Sequence, residues 1–139
     1  MNEAIKAYTA GFIDGEGWMG IFNANGKNIQ AKTGRKYPGI AVHVIQKNRT
    51  VLDWLSKEWG FGSVIINKNN GAWRWIIYAK NALCLLNEIM PYLIVKKSEA
   101  EIIVQFPFGK MGKKNDEILK KRVDIIEKLK IIKSYHFEG

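Results

Sequence analysis

Thr9-Ala10-Gly11-Phe12-Ile13-Asp14-Gly15-Glu16-Gly17 is the stretch from which the rest of the chain is read. Ala4, Ile5, Tyr8, Phe12 and Ile13 recur at the three-and-four spacing of an amphipathic helix. Gly11 and Gly15 lie four apart, one above the other on one helix face. A face stripped of side chains admits another backbone at close range, as in small-xxx-small helix pairs. Gly15 and Gly17 are expected to end the helix, since glycine is the commonest terminator. Glu16 is then left at the helix C-terminus, where the macrodipole disfavours a carboxylate, and a bound cation would compensate. A bare Asp-Gly-Glu-Gly reads as a tight turn with solvated acids. The glycine-faced helix in front of it turns the reading toward a site.

The chain of 139 residues predicts one domain, 1–139, large enough to bury a core. A hydrophobic fraction of 47% with five tryptophans excludes a disordered chain. The single cysteine, Cys84, lies in the apolar run Ala82-Leu83-Cys84-Leu85-Leu86 and is expected to be buried. One cysteine builds neither an intrachain disulfide nor a zinc site. The N-terminus lacks a signal-peptide pattern, and no apolar run is long enough for a bilayer. The expectation is an intracellular protein with no membrane partner, in the organelle or cytoplasm of the genome that encodes it. Abundant Ile, Lys and Asn, whose codons are AT-rich, suggest an AT-rich host genome.

The net charge of +9 points weakly to nucleic acid, and the distribution of acids points more firmly. All 13 acids fall outside two windows, 17–52 and 59–87. The first carries Lys27, Lys32, Arg35, Lys36, Lys47 and Arg49; the second carries Lys68, Arg74 and Lys80. Scattered solvated lysines would not empty two long windows of acids; a surface lying against phosphates would.

Those windows are also the strand-like parts. Residues 18–30 and 36–46 read as a long hairpin with a turn around Gly34 and Pro38-Gly39. Asn48 predicts the cap of a helix over 49–59. Residues 63–68 and 72–79 read as a second hairpin around Asn69-Asn70-Gly71. Helices follow at 81–90, 96–106 and 115–133. The twofold αββ pattern predicts an α+β domain, with four antiparallel strands in one sheet and helices on one face. The other face would be open, basic and free of acids, shaped to lie in a major groove.

The segment 9–17 resembles the signature of the LAGLIDADG homing endonucleases. Ala10, Gly11, Ile13, Asp14 and Gly17 match the name letters, while Phe12, Gly15 and Glu16 are conservative variants. The order of elements is similar to the family fold, αββαββα with a saddle-shaped sheet. The resemblance implies a DNA endonuclease that recognises a long site and cuts one phosphodiester per strand, leaving 3′ overhangs. One motif in the chain implies a symmetric homodimer on a near-palindromic site, with Ala10, Gly11, Asp14 and Gly15 at the interface. Glu16 matches the metal-binding acid, and the Gly15 carbonyl matches a backbone ligand. Magnesium, or manganese in its place, suits such oxygen ligands. Gln46 matches a position that orients water, against the reading of an ordinary strand-end glutamine. Lys96 matches a lysine near the cleaved phosphate, and a one-residue shift would exchange it with Lys97. Asp14 is implied to be mainly structural. Lys47 and Arg49 are placed at the active-site edge, with Thr50 at the position where the family has a basic residue.

Base contacts are expected from alternate residues of the open face. In the second hairpin Ser63, Ile65 and Asn67 share a side, as do Arg74, Ile76 and Tyr78. Arg74 could read guanine and Asn67 adenine. In the first hairpin Tyr37, Gly39, Ala41 and His43 share a side. His43 has no second His or Cys at ligand spacing and reads as a base contact or a neutral strand residue. For the first strand, alignment on the motif turns Trp18, Gly20 and Phe22 toward DNA, whereas polarity favours Asn23, Asn25 and Lys27; a bulge would reconcile them. Lys27, Asn28, Lys32, Arg35 and Lys36 are expected as outer contacts near the hairpin tip.

The rival readings are a protein of the same fold that binds without cutting, as an intron-RNA maturase or a DNA-binding regulator, and an unrelated basic α+β protein. Glu16, Gln46 and Lys96 favour the enzyme.

Overall fold

A computed structural model describes residues 1–22, 39–107 and 116–138. The order is α1 (Glu3–Glu16), β1 (Gly17–Phe22), β2 (Gly39–Gln46), α2 (Arg49–Trp59), β3 (Ser63–Ile66), β4 (Trp73–Tyr78) and α3 (Ala79–Ile89). A 3₁₀ turn (Met90–Tyr92), α4 (Lys97–Ile103) and α5 (Asp116–Glu138) complete it. The α+β architecture and the twofold αββ order are those the periodicity predicts. The tip of the first hairpin, with Lys27, Asn28, Lys32, Arg35, Lys36 and Tyr37, lies outside the described residues.

Local chemistry accounts for the element ends. The Asn2 side chain accepts from the Ile5 N–H and the Asn48 side chain from the Thr50 N–H, each at 2.9 Å, capping α1 and α2. Gly60 closes α2 in the left-handed region, φ 77°. The end of α1 differs from expectation. The helix runs through Glu16, and Gly17 is extended, φ −98°. Glycine is needed there for space: a Cβ would approach the Ile13 carbonyl oxygen to 2.9 Å.

The four strands form one antiparallel sheet in the order β1-β2-β4-β3, so the two hairpins meet through β2 and β4. Alternation then sorts the side chains. Met19, Ile40, Val42, Val44, Trp75 and Ile77 point inward and join Leu52 and Leu55 of α2, Leu85, Leu86 and Ile89 of α3, and Ile103 of α4 in one core. Trp18, Phe22, His43, Ile45, Ile65, Arg74 and Tyr78 take the opposite face. In β1 this is the register aligned on the motif. The ring of Trp18 lies over Gly20 and that of Phe22 over Gly39, where a Cβ would strike them.

Two expectations are corrected. Cys84 is exposed, because α3 buries Ala82, Leu85, Leu86 and Ile89 and turns position 84 away. On α1 the buried residues are Thr9, Ala10 and Ile13. Thr9 accepts a hydrogen bond from the indole of Trp59 at 2.9 Å and donates to the Ile5 carbonyl at 2.7 Å, tying α1 to α2. The exposed stripe is therefore Ala4, Ala7, Tyr8, Gly11 and Gly15. Ala10, expected at an interface, is 0% exposed in the protomer's own core.

Candidate functional site

The end of α1 is where the sequence-predicted groups converge. Pairing of Gly17 with Val44 sets the last residues of β2, including Gln46, beside that end. Glu16 and Gly15 are exposed, and Glu16 has no hydrogen bond or ion pair among the described residues. An unpaired carboxylate at a helix C-terminus is electrostatically unfavourable, so a cation there gains from both the charge and the free carbonyls. Among the described residues no group of three or more His, Cys, Asp or Glu side chains could hold a metal ion. One carboxylate and a neighbouring carbonyl fit an ion that keeps waters and takes phosphate oxygens, as magnesium does.

Asp14 explains how a distant segment reaches this end. Its carboxylate accepts from the backbone N–H groups of Ile94 (2.7 Å), Val95 (3.2 Å) and Lys96 (2.9 Å). The Lys96 ammonium in turn donates to the Asp14 carbonyl at 2.9 Å. Lys96 is thus the lysine held against the α1 end, while Lys97 opens α4 and is exposed. The same bonds give Asp14 the structural role at the helix end that the resemblance implies.

Several base-contact expectations change in detail. The Asn67 Oδ1 accepts from the Asn69 N–H at 3.0 Å, forming part of the β3–β4 turn. That bond uses one of the two lone pairs on the Asn67 oxygen and orients the side chain toward the turn. Arg49 pairs with Asp53 at 3.1 Å and lies 4.3 Å over the Trp73 ring, so its charge is already matched. Lys47 is exposed, and its N–H donates to the Gln46 side-chain oxygen at 3.1 Å. Tyr78 is exposed and meets Phe22 edge-on. Among the described residues, His43 Nδ1 and Arg74 Nε are buried without hydrogen-bond partners, so the open face carries unsatisfied polar atoms. Burial, and then the positive charges of Arg74 and Lys133, push the His43 imidazole below its usual pKa.

Sequence reasoning does not single out Lys133. Its ammonium donates to the Met19 carbonyl at 2.7 Å, lies 4.7 Å over the Trp18 ring and sits 3.9 Å from the Glu99 carboxylate. Trp18 in turn stacks on His43 at 5.0 Å. Burial lowers the pKa of Lys133, opposed by Glu99 and reinforced by Lys96. The Met19 carbonyl belongs to an edge strand, whose unpaired groups need covering. That need was the available signal, though it does not single out a lysine so far along the chain.

The fold is shared with solved endonucleases. The homing endonuclease I-CvuI, solved with the I-CreI target and 2 mM magnesium with the DNA uncleaved, superposes with a TM-score of 0.75 at 20% identity, over 93% of this chain and 82% of that one. The archaeal intron-encoded homing endonuclease I-Vdi141I, complexed with DNA, gives 0.69 at 20% identity, over 90% and 81%. The LAGLIDADG homing endonuclease I-LtrWI, bound to target DNA, gives 0.61 at 24% identity, covering 92% of this chain and 44% of that one. A comparison with curated proteins finds no match. No helix among the described residues is long and apolar enough to cross a membrane. A profile described as LAGLIDADG endonuclease matches residues 9–106, and with the motif helix, the sheet and its open face in place, this chain belongs to the LAGLIDADG endonuclease family.

Proposed function

We propose that the protein is a site-specific DNA endonuclease that acts as a homodimer on a long, near-palindromic duplex, cutting one phosphodiester per strand and leaving 3′ overhangs. The observation that carries this reading is the unpaired Glu16 at the end of a helix whose glycine face is exposed. Ideal Cβ atoms at Gly11 and Gly15 would meet nothing within 4 Å, so that face has room for a second helix. Tyr8, 53% exposed, and Trp54, 37% exposed, meet edge to face beside it and extend an apolar patch that a second copy would bury. A twofold axis between two such helices would bring both Glu16 carboxylates together.

Glu16 and the Gly15 carbonyl are the groups that would hold a divalent ion, magnesium or manganese. Bound there, the ion would supply charge neutralisation at the phosphate and an activated water. Gln46, at the β2 end, would orient that water. Lys96, fixed by Asp14, would place a positive charge at the cleaved phosphate. His43, Arg74 and Tyr78 would meet base edges, and Lys47 the backbone. Double-stranded DNA fits this face because its windows hold no acid. Homing of an intron that encodes the protein is the biological role this reading implies.

The test is cleavage of a randomised duplex library with magnesium, comparing the protein with Glu16→Gln. Site-specific staggered cuts that fall on the order of a thousandfold in the variant are expected. Binding without cutting by either protein would overturn the enzyme reading in favour of a DNA- or RNA-binding protein of the same fold.

A further inference from the structure

The open sheet face is more apolar than phosphate contact requires. Ile45 is 37% and Ile65 45% exposed. Ile45 pairs across the sheet with Arg74, and Arg74 with Ile65, so the three form one row over β2, β4 and β3. Their inward neighbours Val44, Trp75 and Val64 confirm by alternation that the row faces outward. Arg74 has no carboxylate partner among the described residues, and its Nε is buried without a partner.

Adjacent strands lie roughly 4.8 Å apart, so the row spans about 10 Å and fits a major groove about 12 Å wide. Both acid-free windows contribute to it, so phosphates at the groove walls meet no carboxylate from these strands. Isoleucine offers no donor or acceptor. In the major groove the apolar feature available to it is the thymine C5 methyl group, while guanine offers O6 and N7 to an arginine.

We propose that Ile45, Arg74 and Ile65 form a specificity element that reads a guanine flanked by thymine methyl groups. This rests on the sheet face being a double-stranded DNA surface, and it names the class of sequence that the surface prefers. The aliphatic side chains disfavour cytosine at the flanking positions, which has no methyl group and presents an N4 amino group without an acceptor, and disfavour adenine, whose methyl-bearing partner lies on the other side of the groove.

The test begins with selection of bound duplexes from a random library in calcium, at fixed ionic strength. The selected duplex is then made with every thymine replaced by uracil, which removes only the methyl groups. Binding of the unaltered protein is expected to weaken on the order of a hundredfold, the worth of four buried methyl contacts, two from each subunit of the dimer. An Ile45→Ala, Ile65→Ala double variant is expected to bind the thymine and uracil duplexes alike. Equal binding of both duplexes by the unaltered protein would overturn the inference while leaving DNA recognition intact. Failure to select any duplex, or preference for RNA of the same length, would overturn the DNA reading itself.

Discussion

At the residue scale, Asp14 shows how one carboxylate ties a distant segment to the end of α1. It receives three backbone N–H groups from 94–96 and thereby delivers Lys96. Asp14→Asn keeps the shape but loses the charge and one acceptor. It is expected to cost about 1–3 kcal/mol, read as a lower urea midpoint. Cleavage should fall with it, because the Lys96 loop loses its anchor. His43 gives a pH prediction. Its folded pKa lies below the unfolded value near 6.5, so the unfolded chain takes up the proton first. The stability it contributes is present above that value and is lost as pH falls from about 6.5 toward the folded pKa. Urea titrations at pH 7 and pH 5 are expected to show a drop in midpoint that His43→Asn reduces.

At the element scale, the connection between α2 and β3 separates two uses of glycine. Gly60 and Gly62 both have positive φ, 77° and 90°. A Cβ at Gly60 would meet open space, whereas one at Gly62 would collide with the Trp75 indole. Gly60→Ala is therefore expected to cost about 1 kcal/mol, the left-handed term alone. Gly62→Ala adds overpacking and is expected to cost about 2–4 kcal/mol. Thermal unfolding of the two variants checks the order, and equal losses would contradict it. The Trp75 N–H also donates to the Phe61 carbonyl at 3.2 Å, a bond that Gly62→Ala would disturb. At the other edge of the sheet, Lys133 fastens α5 to β1 through a carbonyl and an indole, and to α4 through the Glu99 carboxylate. The C-terminal helix is thereby a brace for the strand that leaves the motif helix.

At the scale of the whole molecule, the prediction concerns association. Gly11→Leu adds a side chain where the protomer has space, so the monomer is expected to keep its circular dichroism spectrum. The twofold helix contact would be lost, and sedimentation should give a monomer where the parent gives a dimer. A parent that sediments as a monomer would remove the symmetric-nuclease reading. The fold itself was legible from the chain. Helical and strand periodicities, the cap Asn48 and the Asn-Gly turn are local signals, and the elements follow them closely.

What the sequence alone determined was the order and type of elements, the motif helix that carries Glu16 near its end, and the two acid-free windows. Each depends on residues within a few positions of one another, where periodicity, capping and composition act. Tertiary structure decided the rest. It held Lys96, and not Lys97, against the end of α1 through bonds to a residue 82 positions away, and it placed Lys133 on a carbonyl 114 positions away. It gave Asn67 to a turn, Arg49 to Asp53 and Ala10 to the core, and it left Cys84 exposed. A side chain's partner is set by which surfaces packing brings together, and no local pattern carries that information.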